Sequence, residues 1–215
     1  MDGDDARPAG IPEDLPREAI AEVTGRLLTP LGDAAPGARL VLHVRDHQVT
    51  VRDLAAYLTL TDRIYGRLRP GGLRSYAQLG SEQLRLRRIA GAGSAVLELE
   101  EEVEWARPWR LALVTLALRV LPGVLEASGS WAEAFRSLGE AADGGAQVGL
   151  FSSADGSVRS RLAREPALAD LKPATLEATA RLLERLYGAE SELLPAALRF
   201  AQLAVLEVAL ERPRA

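Results

Sequence analysis

Hydrophobic and polar positions change rhythm several times along this chain. Between Leu84 and Trp105 (LRLRRIAGAGSAVLELEEEVEW) they form two alternating segments of opposite charge either side of a Gly-rich turn. Folded at Ala90–Ser94, Leu84 and Leu86 share a face with Leu97 and Leu99, while Arg85 and Arg87 share the other with Glu98 and Glu100. Polarity and charge thus specify the same β-hairpin. Arg39–Arg45 (RLVLHVR) has the same two-residue period and reads as a further strand.

Elsewhere the period lengthens to that of a helix. After Pro16, Ile20, Val23, Leu27 and Leu28 form one stripe that Pro30 and Gly32 end. Residues 48–51 admit two readings. A turn at Asp46–His47 would set Val49 and Val51 opposite Val44 and Leu42. Alternatively, Thr50 caps a helix that carries Asp53 in its first turn. The helix follows in either case, with Val51, Leu54, Leu58, Tyr65 and Leu68 as its apolar positions and Pro70-Gly71-Gly72 as its stop. Pro108 opens an apolar helix to about Leu121, where Pro122-Gly123 kinks or breaks it. Trp131–Ala142 makes at best a short amphipathic helix. Two more helices are predicted near the C-terminus: Ala174–Tyr187, closed by Gly188, and Leu193–Leu210, which as a helix is apolar on nearly every side.

The predicted fold class is α+β. A small antiparallel sheet in a ββαββα-like order spans residues 38–128 and is covered by helices, with an N-terminal helix and a C-terminal helical pair added. Residues 1–15 read as an acidic tail and 16–142 as the α+β domain. The Gly/Ser-rich stretch 143–160 reads as a linker or long loop, and 161–215 as a helical extension packing on the domain or on a partner subunit.

Composition narrows the functional classes. With 215 residues, 47% hydrophobic and 26% charged, the chain is of ordinary globular make-up. A net charge of −4 argues against general nucleic-acid binding, which needs a basic footprint. The absence of cysteine excludes thiol catalysis, disulfides and thiolate metal sites. Lys172 is the sole lysine among 26 basic residues, a bias that fits the codon usage of a high-GC, bacterial genome. The N-terminus has no apolar segment of the secretory kind, and no run reaches the length of a membrane span, so a cytoplasmic protein is expected.

Candidate chemistry is sparse. His43 and His47 have H-x-x-x-H spacing, but on a strand those positions lie roughly 13 Å apart, too far for one ion. Gly91-Ala92-Gly93-Ser94 has no lysine and precedes a strand, unlike a phosphate-binding loop. Ser152, Ser153 and Ser157 have no histidine near them in sequence. Glu98, Glu100, Glu101, Glu102 and Glu104 read mainly as one solvated strand face. No catalytic residues, metal ligands or cofactor are assigned.

The expected function is therefore non-enzymatic: a protein–protein interaction protein, whether adaptor, assembly subunit or self-associating scaffold. The motive is helical apolar surface in excess of what one small sheet covers. Trp105, Trp109, Leu198, Leu203, Leu206 and Leu210 are the candidate partner-binding residues. The first alternative is a binder of small anionic ligands, or an enzyme, with a pocket between sheet and C-terminal helices that uses Arg69, Arg74, Tyr65 and Tyr76. A peripheral membrane protein is the second.

Overall fold

A computed structural model describes residues 16–28, 38–45, 49–68, 84–91, 95–101, 108–127, 155–188, 194–203 and 205–211. The elements run in the order α1 (Arg17–Leu27), β1 (Arg39–Val44), α2 (Val51–Arg67), β2 (Leu84–Gly91), β3 (Ala95–Glu101), α3 (Pro108–Ala127), α4 (Asp155–Leu162), a 3-10 turn (Pro166–Leu168), α5 (Pro173–Gly188), α6 (Leu194–Gln202) and β4 (Val205–Glu211). The architecture is α+β and helix-rich, as the sequence pattern predicts. One four-stranded antiparallel sheet has the order β2-β3-β1-β4.

The sheet has one greasy face. Leu40, Leu42 and Val44 of β1 are fully buried, and their register partners Leu99, Leu97, Leu210 and Val208 are buried beside them. Against this face lies α3, which touches β1, β4, α1, α2, α4 and α6 and is the hub of the core. Every residue from Arg110 to Leu118 is buried. Such all-round burial is what a helix apolar on all sides requires, and a single chain supplies it. Within this layer Thr115 Oγ1 donates to the Leu111 carbonyl at 2.7 Å, as Thr179 Oγ1 does to that of Thr175 in α5. Both buried hydroxyls are satisfied within their own helix.

The structure decides the ambiguity at 48–51 in favour of the helix. Asp53 Oδ2 accepts from the Thr50 N–H (3.0 Å) and hydroxyl (2.6 Å), while Thr50 Oγ1 accepts from the Asp53 N–H (3.2 Å). This reciprocal capping box fixes the start of α2. The buried face of α2 is rotated from the predicted stripe. Val51 is 84% exposed and Leu54 and Leu58 are half-buried, whereas Tyr57, Leu60, Thr61, Ile64, Tyr65 and Leu68 are buried. The predicted stripe shares Tyr65 and Leu68 with this face but takes Val51, Leu54 and Leu58 in place of Tyr57, Leu60, Thr61 and Ile64, which face α3 and α6.

Two further expectations need correction. Helix α3 continues through Pro122 to Ala127, so of the kink or break expected there the break does not occur. The predicted helix Leu193–Leu210 stops at Gln202, and Val205–Glu211 is a strand beside β1. In the segment VLEVALE, Val208 and Leu210 alternate onto the core face while Glu207 and Glu211 face away. A two-residue period wound at 3.6 residues per turn spreads leucines around the whole circumference, which is why the segment read as an all-round apolar helix. Excess helical grease therefore does not exist in this region.

The C-terminal elements pack on the rest of the described chain. Helix α5 lies on α1, α6 on α2 and α3, and β4 completes the sheet. Residues 155–160, inside the expected linker, begin α4. Arg119 of α3 ties these parts together, its Nε donating to the Val208 carbonyl (2.5 Å) and its Nη1 to Glu165 (2.8 Å). Glu22 of α1 accepts from the Thr175 hydroxyl (2.7 Å) and the Lys172 N–H (3.3 Å) at the start of α5. These bonds hold the Glu22 carboxyl below its usual pKa, the Thr175 hydroxyl contributing most. The tail 1–15 and the expected short helix 131–142 lie outside the described residues. No helix among the described residues is long and apolar enough to cross a membrane.

Candidate interaction surface

The sheet order leaves β2 at one edge and β4 at the other. Outside β4, Leu28 at the end of α1 forms a single parallel bridge to Leu210. The β2 edge is different. From Arg85 to Ile89 all five residues are exposed. Large exposed hydrophobic side chains among the described residues are Val51, Leu86, Ile89 and Leu206, and two of these four share β2, at 41% (Leu86) and 56% (Ile89).

Leu86 and Ile89 lie on the same side of the sheet although they are three residues apart. Leu86 is opposite Leu99 and Ile89 opposite Leu97, because the register slips between Leu86 and Arg88. Arg87 is the extra residue of a β-bulge. The bulge turns Ile89 back onto the core face of the sheet, beyond the cover that β1 and β3 enjoy. The predicted hairpin thus holds, with its cross-strand partners shifted: Arg88 rather than Arg87 opposes Glu98.

On the other face, the charges form a network across three strands. Arg87 pairs with Glu100 at 2.7 Å and Arg88 with Glu98 at 3.6 Å. From β1, Arg39 reaches Glu98 (3.6 Å) and Glu100 (3.7 Å). The glutamates of the central strand therefore have arginines on both sides. Exposed pairs of this kind contribute only ~0.2–1 kcal/mol each, but they fix how the β2 arginines are held.

A second feature lies inside the molecule. Asp53, Tyr57, Thr61 and Tyr65 recur every four residues along α2 and are all buried. Asp53 is ion-paired to Arg199 of α6. Tyr57 stacks on Phe200 with ring centroids 5.9 Å apart. The buried Arg110 guanidinium lies 5.6 Å from the Tyr65 ring and 5.5 Å from that of Trp109. Burial pushes the Tyr57 hydroxyl well above the usual phenol pKa, so it stays protonated. This ridge joins α2 to α3 and α6 with polar and aromatic contacts.

The sequence-named residues fall as follows. Tyr65 is buried beside Arg110, while Arg69, Arg74 and Tyr76 lie outside the described residues. Trp105 also lies outside them. Trp109 is half-buried under Arg110, Leu198 and Leu210 are in the core, and Leu203 is half-buried. Leu206 is 49% exposed as the extra residue where the β1–β4 register slips. His43 sits on β1 opposite Val96 and Glu207, and His47 is outside the described residues. No group of three or more metal-ligating side chains occurs among the described residues. The structure thus brings together Leu86 and Ile89, which sequence reasoning treated only as hairpin residues. Two signals were available: the odd apolar spacing, which a bulge accommodates, and the arginine density, which suits an edge strand.

Compared with known proteins, the chain matches no family model, no curated protein and no solved structure.

Proposed function

We propose that this protein acts by non-covalent contact with another protein, and that the exposed edge of β2 is the contact surface. Supporting this reading above all is the juxtaposition of Leu86 and Ile89, exposed side by side on an outermost strand. An edge strand offers a row of backbone donors and acceptors to an incoming strand. Arginines and a bulge blunt indiscriminate pairing there, and the two apolar side chains reward a partner that fits. The reading keeps the interaction role expected from sequence but moves its seat from the C-terminal helices to the sheet edge. It assigns the protein to the cytoplasm of a bacterium, with no cofactor.

The test is a matched comparison of three baits in extract of the native host: the unaltered chain, Leu86→Arg/Ile89→Arg, and Val51→Arg as an exposed control on α2. Partners captured by the unaltered chain and by Val51→Arg, but lost from the β2 double variant, support the surface, and a second copy of the chain counts as a partner. Equal capture by all three baits refutes it.

A further inference from the structure

Resting on that reading of β2, we infer that its occupant is the β2 strand of a second copy, paired antiparallel across a two-fold axis. The strand is its own complement. In one symmetric register Leu84 opposes the second copy's Gly91, Arg85 its Ala90, Leu86 its Ile89, and Arg87 its Arg88. Residues directly opposite each other in an antiparallel pair share a face. The observed register places Leu84, Leu86, Ile89 and Gly91 on the core face, and Arg85, Arg88 and Ala90 on the other. Every pair in the symmetric register except that involving the bulged Arg87 is therefore matched by face.

The bulge is what makes this possible. In an unbulged strand, residues 86 and 89 would project from opposite faces, and symmetric pairing would set an apolar side chain against the wrong side of the sheet. With Arg87 as the extra residue, Leu86 and Ile89 of both copies close into one apolar cluster. That cluster extends the layer formed by Leu97 and Leu99. Two four-stranded sheets become one continuous sheet of eight.

Charge works against the seam at its centre, where two arginines of one copy stand directly opposite two of the other, and the glutamates of β3 offset it. Arg87 and Arg88 meet their symmetry mates already paired with Glu100 and Glu98. The seam thus carries two ion pairs from each copy. A single-strand seam belongs to the class of small interfaces, below about 1,200 Å², so the dimer is reversible and concentration-dependent. Closed two-fold pairing also uses up the edge and stops further growth.

Because the chain has no cysteine, introduced thiols read the register directly. Arg85→Cys and Ala90→Cys are made as separate single variants, and dimer mass is followed by light scattering against concentration. The expected result is a dimer fraction that rises with concentration and falls at least tenfold in association constant for Leu86→Arg/Ile89→Arg. Oxidation of a 1:1 mixture of the two cysteine variants should give a disulfide-linked dimer in several-fold higher yield than either variant alone. A strict monomer at about 1 mM chain, where even a millimolar contact is half formed, overturns the inference. So does cross-linking that is equal in the mixture and in the separate variants. If the chain is monomeric but host proteins are still lost from the β2 double-variant bait, the surface stands with a different occupant, such as an acidic extended peptide. If that loss is absent too, both readings fall.

Discussion

Replacing Asp53 tests how α2 is fixed in the fold. One carboxylate does two things: Oδ2 closes the capping box with Thr50, and Oδ1 accepts from Arg199 Nε. In Asp53→Ala, the lost cap costs about 1 kcal/mol, and the charge-assisted bonds add about 1–2 kcal/mol. The larger penalty of stranding a buried charge, about 3–5 kcal/mol, does not apply. Arg199's side chain is 40% exposed against 8% for Asp53, so the guanidinium turns to water. The expected total is about 2–3 kcal/mol, or roughly 5–10 °C in Tm for a chain of this size. Asp53→Asn keeps an acceptor for Thr50 and should cost about half as much. A double-mutant cycle with Arg199→Ala should give a coupling of about 0.5–1 kcal/mol. Acid sensitivity supplies the second readout. The Thr50 hydroxyl first, with the Thr50 N–H and Arg199, holds the Asp53 carboxyl below its usual pKa. A depressed folded pKa means that the contribution is complete above about pH 4, the unfolded value, and is lost as pH falls through the folded one. Urea titrations at pH 7 and pH 3 measure both effects. A cost below about 0.5 kcal/mol at pH 7, or an Asp53→Asn variant as acid-sensitive as the parent, would refute the reasoning.

The other expectations follow from burial and bonding. Leu116→Ala, at a fully buried site in α3, should cost about 2–5 kcal/mol in urea unfolding. For the C-terminal strand, Val208→Asp should prevent cooperative thermal unfolding while Leu206→Asp leaves Tm within a few degrees, and equal effects would contradict the β4 register. Arg119→Ala removes the bonds to Val208 and Glu165 and should cost about 1.5–3 kcal/mol, with hydrogen exchange in β4 accelerating first. Glu22→Gln should flatten the acid limb of the stability curve below about pH 4, because the depressed Glu22 carboxyl stabilises the fold only while ionised.

Local chemistry was the legible part of this sequence. Thr50 and Asp53 announced a helix start through side-chain bonding that needs no distant partner, and the hairpin was visible because charge and polarity repeat on the same two-residue period. What depended on neighbours was less visible. The Leu86–Ile89 spacing contains the bulge, yet only the pairing with β3 shows that Arg87 is the extra residue. Arg39 joins the β2–β3 charge network because β1 lies on the far side of β3, a placement that no local pattern encodes. The C-terminal strand was hidden because Leu206, Val208 and Leu210 follow a helix without an intervening Gly or Pro. Of the buried ridge at 53, 57, 61 and 65, Asp53 and Tyr65 were legible singly. Tyr57 and Thr61 escaped because a phenol and a hydroxyl do not mark a core face, and only α3 and α6 make that face an interior one. The same dependence explains the surface: whether Leu86 and Ile89 are covered is decided by β2 standing last in the sheet.

Hydrogen exchange along β2 tests most directly the claim that this edge is where the chain meets another protein. Backbone amides from Leu84 to Gly91 that point away from β3 should exchange rapidly in dilute solution. They should become protected at high chain concentration or on addition of a captured partner, while those of α1 and β4 stay unchanged. Outward β2 amides that exchange at the same fast rate under every condition, with new protection arising elsewhere, would contradict the account.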